Sequence, residues 1–136
     1  MKQITARNQA SGSVLAARVK VAETRLRRAV GLLGRRALED GEALWIVPSR
    51  GVHTWGMRFP IDVVALDRDG VVVDAVPAMP PWRMRLPRPG TAGVLELAAG
   101  VLERSGTCLG DRIVLEGMDL MEETQARRPA RDVRNP

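Results

Sequence analysis

Residues 61–76 read IDVVALDRDGVVVDAV, and this stretch decides the fold class of the chain. Two apolar runs rich in β-branched residues meet across Asp69-Gly70, the strongest short-range hairpin signal a sequence offers. In the first run Ile61, Val63 and Ala65 line one side, while Asp62, Val64 and Leu66 line the other. A carboxylate therefore sits on a side that is otherwise apolar, and it needs a partner there.

Working upstream, Pro60 drives Phe59 out of helical geometry, so the chain bends around 56–60 after a short extended piece at 52–57. The run 43–47, ALWIV, reads as a buried strand stopped by Pro48. Before it, ETRLRRAVGLLGRRAL (23–38) switches period. Leu26, Ala29, Val30 and Leu33 fall at helical spacing, and Gly34 suits a left-handed cap. From Val14 to Val21 the pattern is period two again, with Arg18 and Lys20 on the outer side. Residues 1–12 are polar and read as a mobile lead-in.

Downstream, PAMPPWRMRLPRPGT (77–91) holds five prolines and is expected to cross the surface as a long extended loop. Residues 93–98 (GVLELA) return to strand character, 99–105 fit a helical turn ended by Gly106, and 112–116 form a final strand. Residues 119–136 are charged and poor in apolar side chains, so they read as a flexible tail. The expected architecture is an α+β domain over 13–118. It has about six or seven short strands in a mostly antiparallel sheet, curled toward a partial β-barrel, with one or two short helices.

Composition narrows the function classes. The chain has 136 residues and one cysteine, so no internal disulfide can form and a reducing compartment is the natural setting. No 18-residue apolar run and no secretory apolar core appear, so the expectation is a cytoplasmic protein without membrane association. The net charge of +5 is concentrated in the first 40 residues. Those residues lack interleaved aromatics and nucleic-acid motifs, so nucleic acid is not the favoured partner. No cofactor motif occurs, and no Cys/His spacing suits a metal.

Three blocks, RAVGLLGRRAL (28–38), HTWGMRFPIDVVALDRDG (53–70) and VLELAAGVLERSGTCLGDRIVL (94–115), together resemble the DUF192 family of small uncharacterised bacterial and archaeal proteins. The central block matches the branch reading His-Thr-x-x-Met-x-x-Pro-x-Asp. The resemblance covers roughly residues 17–116 and implies a compact β-rich α+β domain. It places emphasis on Arg28, Gly31, Leu32, Arg35, His53, Thr54, Met57, Pro60, Asp62, Glu96, Gly100, Gly110 and Asp111. Many relatives carry an export leader, and the N-terminal residues here are not expected to form one. The resemblance implies no known activity.

Three side chains are the candidates for chemistry. His53 is the sole histidine and could serve as a general base. Asp62 could orient it, or bind backbone N–H groups of the 56–60 bend, or pair with a helix arginine. Glu96 lies between Leu95 and Leu97 and reads as a second enclosed carboxylate, partnered in a catalytic group or in a salt-bridge network with Arg28 or Arg35. Thr54, Trp55, Met57 and Trp82 could build a ligand-binding groove walled by the proline-rich loop. The leading reading is a binding or accessory module for a small molecule or an extended peptide. One alternative is a hydrolase- or lyase-type enzyme, which requires His53, Asp62 and Glu96 to converge. The other is nucleic-acid binding through Arg18, Lys20, Arg25, Arg27, Arg28, Arg35 and Arg36.

Overall fold

The computed structural model describes residues 3–22, 38–48, 52–54, 57–86 and 88–117, with only the backbone of 52 and 53. The expected helix over 23–38 and the tail at 119–136 lie outside the described residues, apart from Leu38, which is buried.

The hairpin at 61–76 forms as the sequence predicts. Strand β5 (Ile61–Leu66) pairs antiparallel with β6 (Val72–Met79). The turn between them is held by Asp67, whose carboxylate accepts from the amides of Asp69 at 2.8 Å and Val71 at 2.9 Å. Gly70 turns at φ +86°, and a Cβ there would meet the Ile113 carbonyl at 2.6 Å.

Around this hairpin stand β1 (Ile4–Asn8), β2 (Val14–Ala22), β3 (Glu42–Ile46), β8 (Gly93–Ala98) and β9 (Ile113–Glu116). They form one seven-stranded sheet in the order β6-β5-β8-β3-β2-β1-β9. Among the described strands only β2 and β3 run parallel, and their separation by residues 23–41 in the sequence is long enough for the connection a parallel pair needs. The sheet curls until its two ends meet: Val71 bridges Arg112, and the Ile113 amide donates to the Gly70 carbonyl at 2.8 Å. A short helix α1 (Val101–Ser105) follows β8. Two further two-residue strands, β4 (Val52–His53) and β7 (Met84–Arg85), make a separate antiparallel pair.

Two sequence expectations are corrected. Residues 4–8 are not part of a mobile lead-in but the strand β1, set between β2 and β9. Its side chains alternate buried and half-buried, and Asn8, 1% exposed, ties it down. The Asn8 amide donates to the Asp111 carboxylate at 3.0 Å and to the Thr107 hydroxyl at 3.2 Å. Polar residues hid this strand because only Ile4 and Ala6 carry its apolar pattern into the core, and the buried hydrogen-bond network of Asn8 completes the anchor. Residues 77–91 are likewise not one loop. Strand β6 continues through Pro77 to Met79, which is tolerated because β6 is the sheet's outer strand and its partner register slips there.

Strands β5 and β8 are buried along their whole length, so the sheet carries apolar packing on both faces. Register assigns the sides. Asp62 opposes Leu97 and Val64 opposes Leu95 on the first face; Val63 opposes Glu96 and Ala65 opposes Val94 on the second. The first face packs Val64, Leu66, Leu95, Leu97 and Trp45 with Val101 and Leu102 of α1. Gly93 makes room for the Trp45 ring, since a Cβ there would lie 2.5 Å from Cη2. The second face packs Leu44, Ile46, Ile61, Val63 and Val94 under Met57 and Phe59.

Candidate functional site

Asp62 meets the requirement its sequence context set, with partners the sequence did not indicate. It is fully buried, and its Oδ2 accepts from the amides of Gly100 at 3.1 Å and Leu102 at 2.8 Å. Its Oδ1 accepts from the amide of Ala78 at 2.7 Å. The first two are orphan donors at the start of α1, whose own cap residue, Gly100, has no side chain to offer. The third comes from a bulge: between Ile61 and Val63 on β5, the facing strand advances from Met79 to Val76, one residue more. Asp62 thus joins helix start, bulge and central strand through three backbone N–H groups, neither those of the 56–60 bend nor an arginine.

From the bulge the chain enters a flap over the second face. Its first arm, 52–60, contributes β4 and the buried Met57 and Phe59; its second, 79–88, contributes β7. Thr54 clamps the arms together. Its buried hydroxyl donates to the Pro80 carbonyl at 2.6 Å and accepts from the Arg83 amide at 2.9 Å, while its own amide donates to the Arg83 carbonyl at 2.8 Å. The flap is pinned to β6 by Asp74, which receives the Arg85 guanidinium in a two-pronged contact at 2.8 and 2.9 Å. Arg88 lies 3.7 Å from the same carboxylate. The Arg85 hydrogen bond, followed by the nearby positive charge of Arg85 and Arg88, holds the Asp74 carboxyl below the usual range despite its burial.

The sequence candidates separate accordingly. Asp62 and Glu96, both fully buried, point to opposite faces of the sheet, so they do not form one constellation. Glu96 lies on the flap's side, between Leu44 and Val63. The backbone of His53 pairs with Met84 inside the flap. Thr54 and Met57 are buried anchors rather than exposed contacts, and Trp82 is 65% exposed. Trp55, Arg28 and Arg35 lie outside the described residues. Among the described residues no group of three or more His, Cys, Asp or Glu is placed to hold a metal ion, and no helix is long and apolar enough to cross a membrane.

Sequence reading set Trp82 in a groove walled by the proline-rich loop; what it missed is that Trp82 stands in an exposed apolar run on the outer surface of the flap. Trp82, Met84 and Leu86 are three of the four large apolar side chains exposed among the described residues, and they follow one another at every second position. Arg83 and Arg88, both exposed, and the half-exposed Arg85 stand between and beside them. The period-two pattern WRMRL (82–86) was legible but was masked by its five surrounding prolines. Among the described residues the two non-glycine positions with left-handed backbone are Ala78, near the end of β6 where the flap begins, at φ 46°, and Trp82 at φ 63°, a strained conformation found often at binding sites.

Comparison with known proteins agrees with this architecture. The family model described as DUF192, uncharacterized ACR, matches residues 6–115. A UPF0127 protein of Thermococcus sibiricus is 32% identical over 111 residues, covering 78% of this chain and 71% of that one. A UPF0127 protein of Pyrococcus furiosus is 27% identical over 111 residues, covering 78% and 93%. Among solved structures, a protein of unknown function from Novosphingobium aromaticivorans superposes with a TM-score of 0.69 at 24% identity, covering 82% of both chains. One titled a putative transcription regulator from Sinorhizobium meliloti superposes at 0.68 with 21% identity, covering 82% and 91%. At these identities the likeness of the two structures concerns the fold.

Proposed function

The chain belongs to the DUF192 family, and from that premise we propose that it is a binding module whose site is the outer surface of the β4–β7 flap. The observation that carries the reading is the exposed trio Trp82, Met84 and Leu86 on a segment that is clamped rather than loose. Exposed large apolar side chains gathered on one surface mark interaction sites more often than isolated ones do. The Thr54 clamp and the Asp74–Arg85 pair fix the arms, so little ordering cost remains to be met on binding. Trp82 belongs to the proposed site, while Thr54 and Met57 act as its anchors. Catalysis by His53, Asp62 and Glu96 together is not favoured, because the two carboxylates project to opposite faces.

The test is amide NMR mapping on the full chain with a panel of aromatic and aliphatic fragments and short peptides. Shifts confined to 52–60 and 79–88, lost in Trp82→Ser/Met84→Ser at unchanged melting temperature, are the expected result. Shifts that cluster elsewhere, or that survive the double substitution, overturn the reading.

A further inference from the structure

We infer that the flap takes an extended polypeptide segment in which acidic and apolar side chains alternate. The inference rests on the binding reading above and names its partner. Its first support is charge. Residues 52–61 and 75–95 carry four of the chain's 21 Lys and Arg, namely Arg58, Arg83, Arg85 and Arg88, and none of its 16 Asp and Glu. The first 40 residues carry nine Lys and Arg against three Asp and Glu, and the rest of the chain outside the arms eight against thirteen, so the flap is a second basic region set in an otherwise acidic remainder. Asp74 engages Arg85 in full and Arg88 at a longer distance, which leaves a net positive surface at Arg58, Arg83 and Arg88.

The second support is spacing. Past the turn at Trp82, basic and apolar side chains alternate from Arg83 to Leu86 around β7, and same-side residues of an extended chain recur about every 6.6 Å. A partner strand alternating acid with apolar residue matches that period on both counts. The third is the backbone. Arg83 directs both its amide and its carbonyl at Thr54. By strand alternation Met84 then directs its own amide and carbonyl toward the far edge of β7, where a strand would be added. Nucleic acid shares the charge preference but gains little from Met84 and Leu86, since bases stack on aromatic side chains and Trp82 is the one exposed aromatic among the described residues. An anionic lipid surface shares charge and apolarity but has no use for the alternation.

The experiment titrates the full-length chain with a short synthetic peptide alternating Glu with Leu. Its Lys-for-Glu counterpart, phosphatidylglycerol vesicles and a single-stranded oligonucleotide are titrated in parallel. The expected result is binding of the Glu/Leu peptide with shifts at Arg83 to Arg88, about tenfold tighter than the Lys version, and a reversed preference in Arg83→Glu/Arg88→Glu. Equal binding of both peptides overturns the acidic partner. Binding of vesicles or oligonucleotide without peptide overturns the polypeptide. If no peptide binds while fragments still map to the flap, this inference fails and the binding reading stands.

Discussion

Asp62 and Asp74 come from neighbouring strands, and the two regions they hold differ in kind. Asp62 sits on the first face, satisfied by three backbone amides at fixed distances, where movement of any partner would strand a buried charge. Asp74 sits at the margin of the second face and holds a mobile type of partner, an arginine side chain that is 39% exposed. One carboxylate builds the fold; the other moors a flap whose outer surface is left apolar and basic. The burial of Asp62 and Asp74 is thus accounted for by structural partners, and the proposed site rests on exposed apolar residues instead.

The largest effect that would break this contrast is at Asp62. Asp62→Ala removes the acceptor of three N–H groups, one of them, at Leu102, buried, and should cost about 2 to 4 kcal/mol in denaturant unfolding, with Asp62→Asn retaining part of it. A loss under about 1 kcal/mol would remove Asp62 from its structural role. Gly93→Ala, which drives a Cβ into the Trp45 ring and to 2.9 Å from the Ile46 carbonyl, should cost about 1 to 3 kcal/mol by the same measurement.

Asp74→Asn should cost less, about 1 to 2 kcal/mol, because the exposed Arg85 limits what the pair contributes. Its signature is pH dependence. The folded-state pKa of Asp74 is depressed, so its contribution is complete above the unfolded value near 3.9 and is lost as pH falls through the folded value. Stability of the wild type should therefore decline more steeply than that of Asp74→Asn below about pH 4. Parallel declines would show that the pair contributes nothing ionic.

Trp82→Ser and Met84→Ser should leave melting nearly unchanged, within about 0.5 kcal/mol, since both side chains are exposed. A substantial loss would mean that the trio packs against something and is not a free surface.

Local pattern was enough for much of the molecule. Asp69-Gly70 specified the hairpin, the alternations at 14–21 and 61–66 specified strands, and Gly106 ended the helical turn after β8. Alternation also placed Asp62 and Glu96 among apolar neighbours, which their full burial bears out. These features depend on residues within a few positions of one another, where periodicity and turn chemistry act directly. Strand order, the incorporation of residues 4–8, and the continuation of β6 through Pro77 depend instead on which edges meet, and no local pattern encodes that. Nor could spacing along the chain say that Asp62 would take amides from Ala78, Gly100 and Leu102. The same holds for Asp62 and Glu96, which end on opposite faces because a one-residue offset in strand pairing inverts the side on which a side chain projects.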